Sequence, residues 1–250
     1  VSVNQGITRD GATPLFCAVS TGNIDVIKQL LAAGADVNLQ DKLQENAFME
    51  ACHRGRAEVV ALMIKHGARP ELKNHKGRTG FDILKLAGWT KENNPDLFKV
   101  IQEKAFADYA AVCVGMRKDL TLTDLVGMGL DVNGEFSEDT PLNFAIQANK
   151  QDYVRELIKM GADVNKPVGF SQVTPFMQAC IKGRAQSVEV LMDNAVDYTL
   201  KDRRGLTGLD MIQDDRWTEE NNPGLFAVLR DKGILDEVRE GSTYGGCRMS

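Results

Sequence analysis

TPLFCAVSTGNIDVIKQLLAAGADVN, from Thr13 to Asn38, holds two short helix signals and a turn signal in one stretch. Thr13 is placed to cap a helix that Pro14 starts, because proline lacks only an N–H that a first turn leaves unbonded anyway. Leu15 and Ala18 then share one side, and Gly22 stands where the short helix ends in a positive φ. The following residues put Ile24, Ile27, Leu30 and Leu31 on one face of a second helix, which Gly34 stops. Two antiparallel helices and an extended turn are expected. Neither helix is long enough to persist alone in water, and the apolar face of such a pair needs a neighbouring pair to cover it.

The chain supplies those neighbours. Thr13, Asn46 and Thr79 open equivalent segments (TPLFCAVSTG, NAFMEACHRG, TGFDILKLAG) at intervals of 33 residues. Thr140, Thr174 and Thr207 open three more (TPLNFAIQAN, TPFMQACIKG, TGLDMIQDDR) at intervals of 34 and 33. A larger unit also recurs. FMEACHRGRA at Phe48 to Ala57 returns as FMQACIKGRA at Phe176 to Ala185, and WTKENNPDLF at Trp89 to Phe98 returns as WTEENNPGLF at Trp217 to Phe226, each 128 residues later. A block of several repeats is duplicated.

A period of about 33, opened by T-P-L and closed by GADVN at Gly34 to Asn38 and Gly161 to Asn165, resembles the ankyrin repeat. GLDVN at Gly129 to Asn133 is a third such ending. The resemblance runs to about residue 235 and implies an all-α solenoid of stacked helix-turn-helix pairs with extended turn loops, in two tandem blocks. Residues 1–104 would form the first block, with about three repeats and a cap. Residues 105–240 would form the second, with about four, the first a degenerate one from about Phe106 to Asn133; residues 241–250 read as a flexible tail. VSVN at Val1 to Asn4 reads as the end of a preceding repeat. One departure is clear: where the ankyrin pattern has His after T-P-L, this chain has Phe16, Met49, Asn143 and Met177. Gly11, Gly77 and Gly205 stand two residues before their caps, where a tight turn favours glycine. Gln44, Glu138 and Gln172 occupy the other three places, so a different turn is expected there.

Composition narrows the function. The 43% hydrophobic content is that of an ordinary folded chain, while a net charge of −5 and scattered Lys and Arg argue against a nucleic-acid partner. No stretch approaches the roughly 18 to 20 apolar residues of a membrane-spanning helix, so no membrane insertion is expected. Five cysteines without a CxxC pair argue against a disulfide framework or zinc ribbon, and Cys17, Cys52 and Cys180 sit in apolar segments as small buried hydrophobes. His53, His66 and His75 are not at metal-ligand spacing, and no nucleophile elbow, phosphate-cradling loop or HExxH occurs. The acidic DDR at Asp214 to Arg216 and EDT at Glu138 to Thr140 read as capping and surface residues. No catalytic residue, metal, cofactor or small-molecule substrate is expected.

The ankyrin resemblance implies instead a partner-binding face made of turn tips and the exposed ends of the first helices. Its positions lie four, three and one residues before each cap, and seven and eight after it. In the first block these are Lys42, Leu43, Glu45, Ser20, Thr21, His53, Arg54, His75, Lys76 and Arg78. In the second they are Phe136, Ser137, Asp139, Gln147, Phe170, Ser171, Val173, Lys182, Arg203, Arg204 and Leu206. Phe136, Phe170, Val173 and Leu206 stand out, since a solvated tip needs no apolar side chain and aromatic residues dominate interface energetics. Trp89 and Trp217 head enlarged loops between two helices, and either lid the end of each stack or offer two equivalent binding edges. The two-block architecture resembles small bacterial ankyrin proteins, some of which protect their cell against peptidoglycan-cutting endopeptidases in the periplasm. That resemblance implies an inhibitor of a partner enzyme; an adaptor bridging two proteins is the alternative. The chain begins VSVNQ without Met, which fits a trimmed chain, or a mature exported one; a periplasmic location is expected, with the cytoplasm as alternative.

Overall fold

Side chains start the first helices where the repeat register places them. Hydroxyls of Thr13, Thr79, Thr140, Thr174 and Thr207 and the amide oxygen of Asn46 each accept the backbone N–H three residues on, at 2.9 to 3.3 Å. The computed structural model describes residues 2–212 and 217–235. Among the described residues the elements are twelve helices and two isolated β-bridges. The chain divides into two compact units, residues 1–112 with 117–131, and residues 113–116 with 132–250.

The first unit contains α1 (Pro14–Thr21), α2 (Ile24–Ala32), α3 (Ala47–His53), α4 (Ala57–Lys65), α5 (Gly80–Leu86), α6 (Pro95–Cys113, whose last residue groups with the second unit) and α7 (Leu122–Gly127). Helices α1, α3 and α5 pack in succession, with α2 against α1 and α4 against α3. Their interface is one apolar core that includes Leu15, Val19, Ile27, Phe48, Cys52, Phe81 and Leu84. The second unit repeats the plan with α8 (Pro141–Gln147), α9 (Gln151–Lys159), α10 (Pro175–Ile181), α11 (Ala185–Met192) and α12 (Pro223–Asp231). There α8 packs on α9 and α10, and α11 on α9, α10 and α12. Burying such side chains contributes about 1.5–3 kcal/mol each, which helices of seven to nine residues lack when isolated.

The last repeat of each block opens with T-G in place of T-P because of packing. A Cβ on Gly80 would lie 2.6 Å from the Phe48 ring and 3.2 Å from Cys52 Sγ; on Gly208 it would lie 2.6 Å from the Phe176 ring and 3.3 Å from Cys180 Sγ.

The asparagine that ends each DVN segment ties its repeat to the next. Asn38 donates to Gly67 O at 3.0 Å and accepts Arg69 N–H at 2.9 Å. Asn133 does the same with Gly161 O and Asp163 N–H, at 2.9 and 2.7 Å. Asn165 accepts Asp197 N–H at 2.7 Å. Asn4 makes the same pair of bonds, to Gly34 O and from Asp36 N–H, so it occupies the place of the final Asn of a DVN segment.

Three features differ from the sequence expectation. The boundary placed between residues 104 and 105 falls inside α6, because Lys99 to Cys113 contains neither Gly nor Pro and is rich in helix-favouring Ala. The degenerate repeat keeps a helix, α7, opened by the capping box of Thr121 and Asp124, and its Gly127 O accepts the Thr79 hydroxyl at 3.0 Å. After Thr207 the described residues 208–212 form turns, although Thr207 and Asp210 exchange capping bonds; the DDR segment and the tail lie outside the described residues. Among the described residues no helix is long and apolar enough to cross a membrane.

Candidate functional site

A hairpin tip precedes each of the six capping residues. In five of the six, the residue two before the cap has a positive φ and its N–H closes on the carbonyl three residues back: Gly11 on Thr8, Gln44 on Asp41, Gly77 on Asn74, Gln172 on Gly169 and Gly205 on Asp202. The expectation that Gln44 and Gln172 mark a different turn is therefore corrected. The Gln44 φ of 57° lies in the left-handed region of the glycine tips, where Asp41 Oδ1 supports the turn by accepting the N–H groups of both Leu43 and Glu45. Asn74 and Asp202 organise their tips in the same way. The tip at Glu138 does differ. Phe136 and Asp139 exchange both backbone bonds around Ser137 and Glu138, at φ 50° and 66°, a two-residue hairpin that ordinarily favours Asn-Gly.

Successive tips are also tied together, Lys42 N–H to Asp10 O, His75 N–H to Leu43 O and Arg203 N–H to Ser171 O, at 2.9 to 3.1 Å. Side chains four places before the caps therefore stand in register along an edge.

In the second unit this edge brings together several expected residues. Arg203 lies over the Phe170 ring, 3.7 Å from its centroid, and its Nη1 reaches Phe170 O at 3.5 Å. Phe170 is 73% exposed and Leu206 36% exposed. Phe136 and Val173 are half-buried, each bound into a β-bridge, so two of the four expected apolar tips present open side chains. Arg204 is turned onto the buried Asp202 carboxylate at 2.9 Å. Gln147 donates to Asp139 at 2.6 Å, and burial pushes the Asp139 carboxyl above the usual range. Ser137, Ser171 and Lys182 are exposed.

The first unit places different chemistry on the same frame. Lys42, Leu43, His75, Lys76 and Arg78 are exposed on its tips, Leu43 at 46%. Glu50, which the sequence reading passed over, is 8% exposed and accepts from the Ser20 hydroxyl at 2.5 Å and Arg54 Nε at 2.9 Å, with His53 at 3.8 Å. Its counterpart 128 residues on is Gln178, and Arg54 and His53 become Lys182 and Ile181. A lone Glu in an apolar helix segment, with Arg four residues later, was the available signal.

The tryptophan loops have one construction twice. Trp89 Nε1 donates to His53 O at 2.9 Å and its ring covers Gly55, where a Cβ would lie 2.3 Å from Cε2. Asn94 donates to Gly55 O at 2.7 Å and accepts Leu97 N–H at 3.4 Å, opening α6 with Pro95 at its first position. Thr90 and Asn93 close the loop by reciprocal bonds. In the second unit Trp217 reaches Ile181 O at 3.4 Å, Asn222 donates to Gly183 O at 2.9 Å and accepts Leu225 N–H at 3.3 Å, and Thr218 pairs with Asn221. Both indoles are half-buried and committed to the preceding repeat; Thr90 to Asn93 and Thr218 to Asn221 remain exposed.

The chemistry of the other candidates is quiet. Burial pushes the Cys52 and Cys180 thiols far up, so neither supplies a thiolate near neutrality. Among the described residues no group of three or more His, Cys, Asp or Glu is arranged to hold a metal ion.

The family model described as ankyrin repeats in three copies matches residues 15–112 and again residues 109–202. The chain is an ankyrin-repeat protein. Ankyrin arrays are protein-interaction modules. The chain is similar to rat ankyrin repeat and SAM domain-containing protein 6, at 33% identity over 116 residues, 45% of this chain and 12% of the relative. It is similar to mouse Rabankyrin-5, at 28% over 171 residues, 63% of this chain and 14% of the relative. Human 2-5A-dependent ribonuclease is 35% identical over 80 residues, 31% of this chain and 10% of the relative. The chain thus spans between 10% and 14% of the length of these relatives.

Proposed function

We propose that this ankyrin chain is a non-enzymatic binding module that docks on a partner enzyme and blocks it. The supporting observation is the Phe170 ring, 73% exposed at a hairpin tip and backed by the Arg203 guanidinium at 3.7 Å. An aromatic held in one orientation by a cation loses little side-chain entropy on entering a partner's pocket. Leu206 on the next tip extends the apolar contact. The proposed contact set is completed by Phe136, Ser137, Asp139, Gln147, Ser171, Val173, Lys182, Arg203 and Arg204, with Leu43 in the first unit. Trp89 and Trp217 belong to it through the exposed loops they anchor.

The finer reading is a self-protection inhibitor of a peptidoglycan-cutting endopeptidase, working in the periplasm. It rests on the two-block architecture. An adaptor with two protein partners is the second reading, favoured by the different side chains on the two tip edges.

Copurification from the native extract, with the identified partner assayed as this chain is added, separates the two. Falling activity of one bound enzyme supports inhibition; two proteins held at once with unchanged activities support the adaptor. Phe170→Ala with Leu206→Ala is expected to weaken the partner by more than ~2 kcal/mol and leave the thermal transition nearly unmoved. Unchanged affinity would remove the proposed surface.

A further inference from the structure

Four places before its three caps the first unit has Arg9, Lys42 and His75, all exposed. The bonds from Lys42 N–H to Asp10 O and from His75 N–H to Leu43 O hold the three tips in succession, at 2.9 and 3.0 Å. Lys76 and Arg78 add two exposed cations on the last tip, which carries no carboxylate. The acids of the same edge are mostly engaged inward. Asp41 accepts two backbone N–H groups, and Glu45 accepts from Asn74 at 3.3 Å. Asp10 is the exposed exception. Arg9, Lys42, Lys76 and Arg78 thus form a strip of exposed cations, with Lys42 Nζ also donating to Arg9 O at 2.8 Å, on a chain whose formal net charge is −5.

We infer that this edge takes an acidic polypeptide segment, laid across the tips so that its carboxylates meet Arg9, Lys42, Lys76 and Arg78. This rests on the protein-binding reading above and gives the first unit's partner a chemistry. Opposite charge on a row of fixed tips supplies attraction, orientation and a fast encounter. Leu43, between the cations and 46% exposed, suits an apolar residue among the acids. A polynucleotide is the poorer fit. The net charge opposes a dense phosphate backbone, and the segments 8–12, 41–45 and 74–78 contain no Phe, Tyr or Trp on which bases could stack.

The test uses the full chain and fluorescence anisotropy with a labelled peptide alternating Glu and Leu. The same peptide with Gln for Glu, and a thymidine oligonucleotide of equal charge, are the comparisons. The Glu peptide is expected to bind at least about tenfold more tightly than either, and to weaken as salt rises from about 0.05 to about 0.5 M. Lys76→Glu with Arg78→Glu is expected to cost about tenfold or more at an unchanged thermal transition. Arg9→Glu with Lys42→Glu should act likewise, while Phe170→Ala should not. Equal affinity for the two peptides, tighter binding of the oligonucleotide, or indifference to both charge reversals would overturn the inference. Those results leave the Phe170 and Leu206 measurement standing; failure of that measurement would strike the function reading itself.

Discussion

Gly55 and Gly183 do the same work in the two units. Each holds a positive φ at the end of a first helix, lies under a tryptophan ring and gives its carbonyl to an asparagine that caps a helix of the following repeat, α6 or α12. The tips show the opposite behaviour. Four places before the caps stand Arg9, Lys42 and His75 in the first unit, and Phe136, Phe170 and Arg203 in the second. One place before, Glu45 and Arg78 answer to Val173 and Leu206. The parts that agree are those that stack, where a misfit leaves a cavity or a clash. The parts that differ face solvent, where a substitution costs little stability and changes what can be bound.

That contrast can be broken at several points. The largest effect is expected for Gly55→Ala, which combines a left-handed backbone with a ring in the way. It should cost about 3 kcal/mol or more, read by urea unfolding through Trp89 fluorescence in a Trp217→Phe background. Gly183→Ala, read through Trp217, should match it, and a cost below about 1 kcal/mol in either would mean that the clamp carries no stability. Trp89→Ala is next, at about 2–3 kcal/mol, with Trp217→Ala somewhat milder because its ring N–H bond is longer, 3.4 against 2.9 Å.

Asn38→Ala removes two inter-repeat bonds and should cost about 1–2 kcal/mol; Asn165→Ala removes one and should cost about half as much by the same titration. The smallest effect has the opposite sign. Gln44→Gly and Glu138→Gly relieve a side chain held at φ 57° and 66°, and each should raise stability by about 0.5–1 kcal/mol. A loss instead would show that these side chains serve their tips.

Helix pairs, caps and the duplicated block were legible because local chemistry decides them: Thr13 and Pro14, or Asn94 and Pro95, act within one turn of chain. The ankyrin resemblance followed from the period with its T-P-L openings and GADVN endings, and the edge of tips is what that resemblance implies. What escaped reading depends on contacts between repeats. The Gln44 turn is set by Asp41 and the neighbouring tips, not by its own residue type. The bonds of Asn38 and Asn133 close at distances of about thirty residues, although the recurring final Asn of DVN was in plain view. Phe136 and Val173 read as open apolar tips, yet bridging to Asp139 and Val168 leaves them half-buried. Glu50 gave one sign that its carboxylate would sit buried and orient Arg54, its place in an apolar segment with Arg four residues on.

Backbone hydrogen exchange of the full chain, alone and saturated with its copurified protein partner, tests the central claim most directly. A duplicated stack that grips through its tips predicts slowed exchange at residues 170–173 and 202–206, or at 41–45 and 74–78 where the partner is acidic, with any protection of the tryptophan loops at 90–93 and 218–221 accompanying that of the tips. Protection confined to those two loops, with every tip exchanging as before, would contradict it.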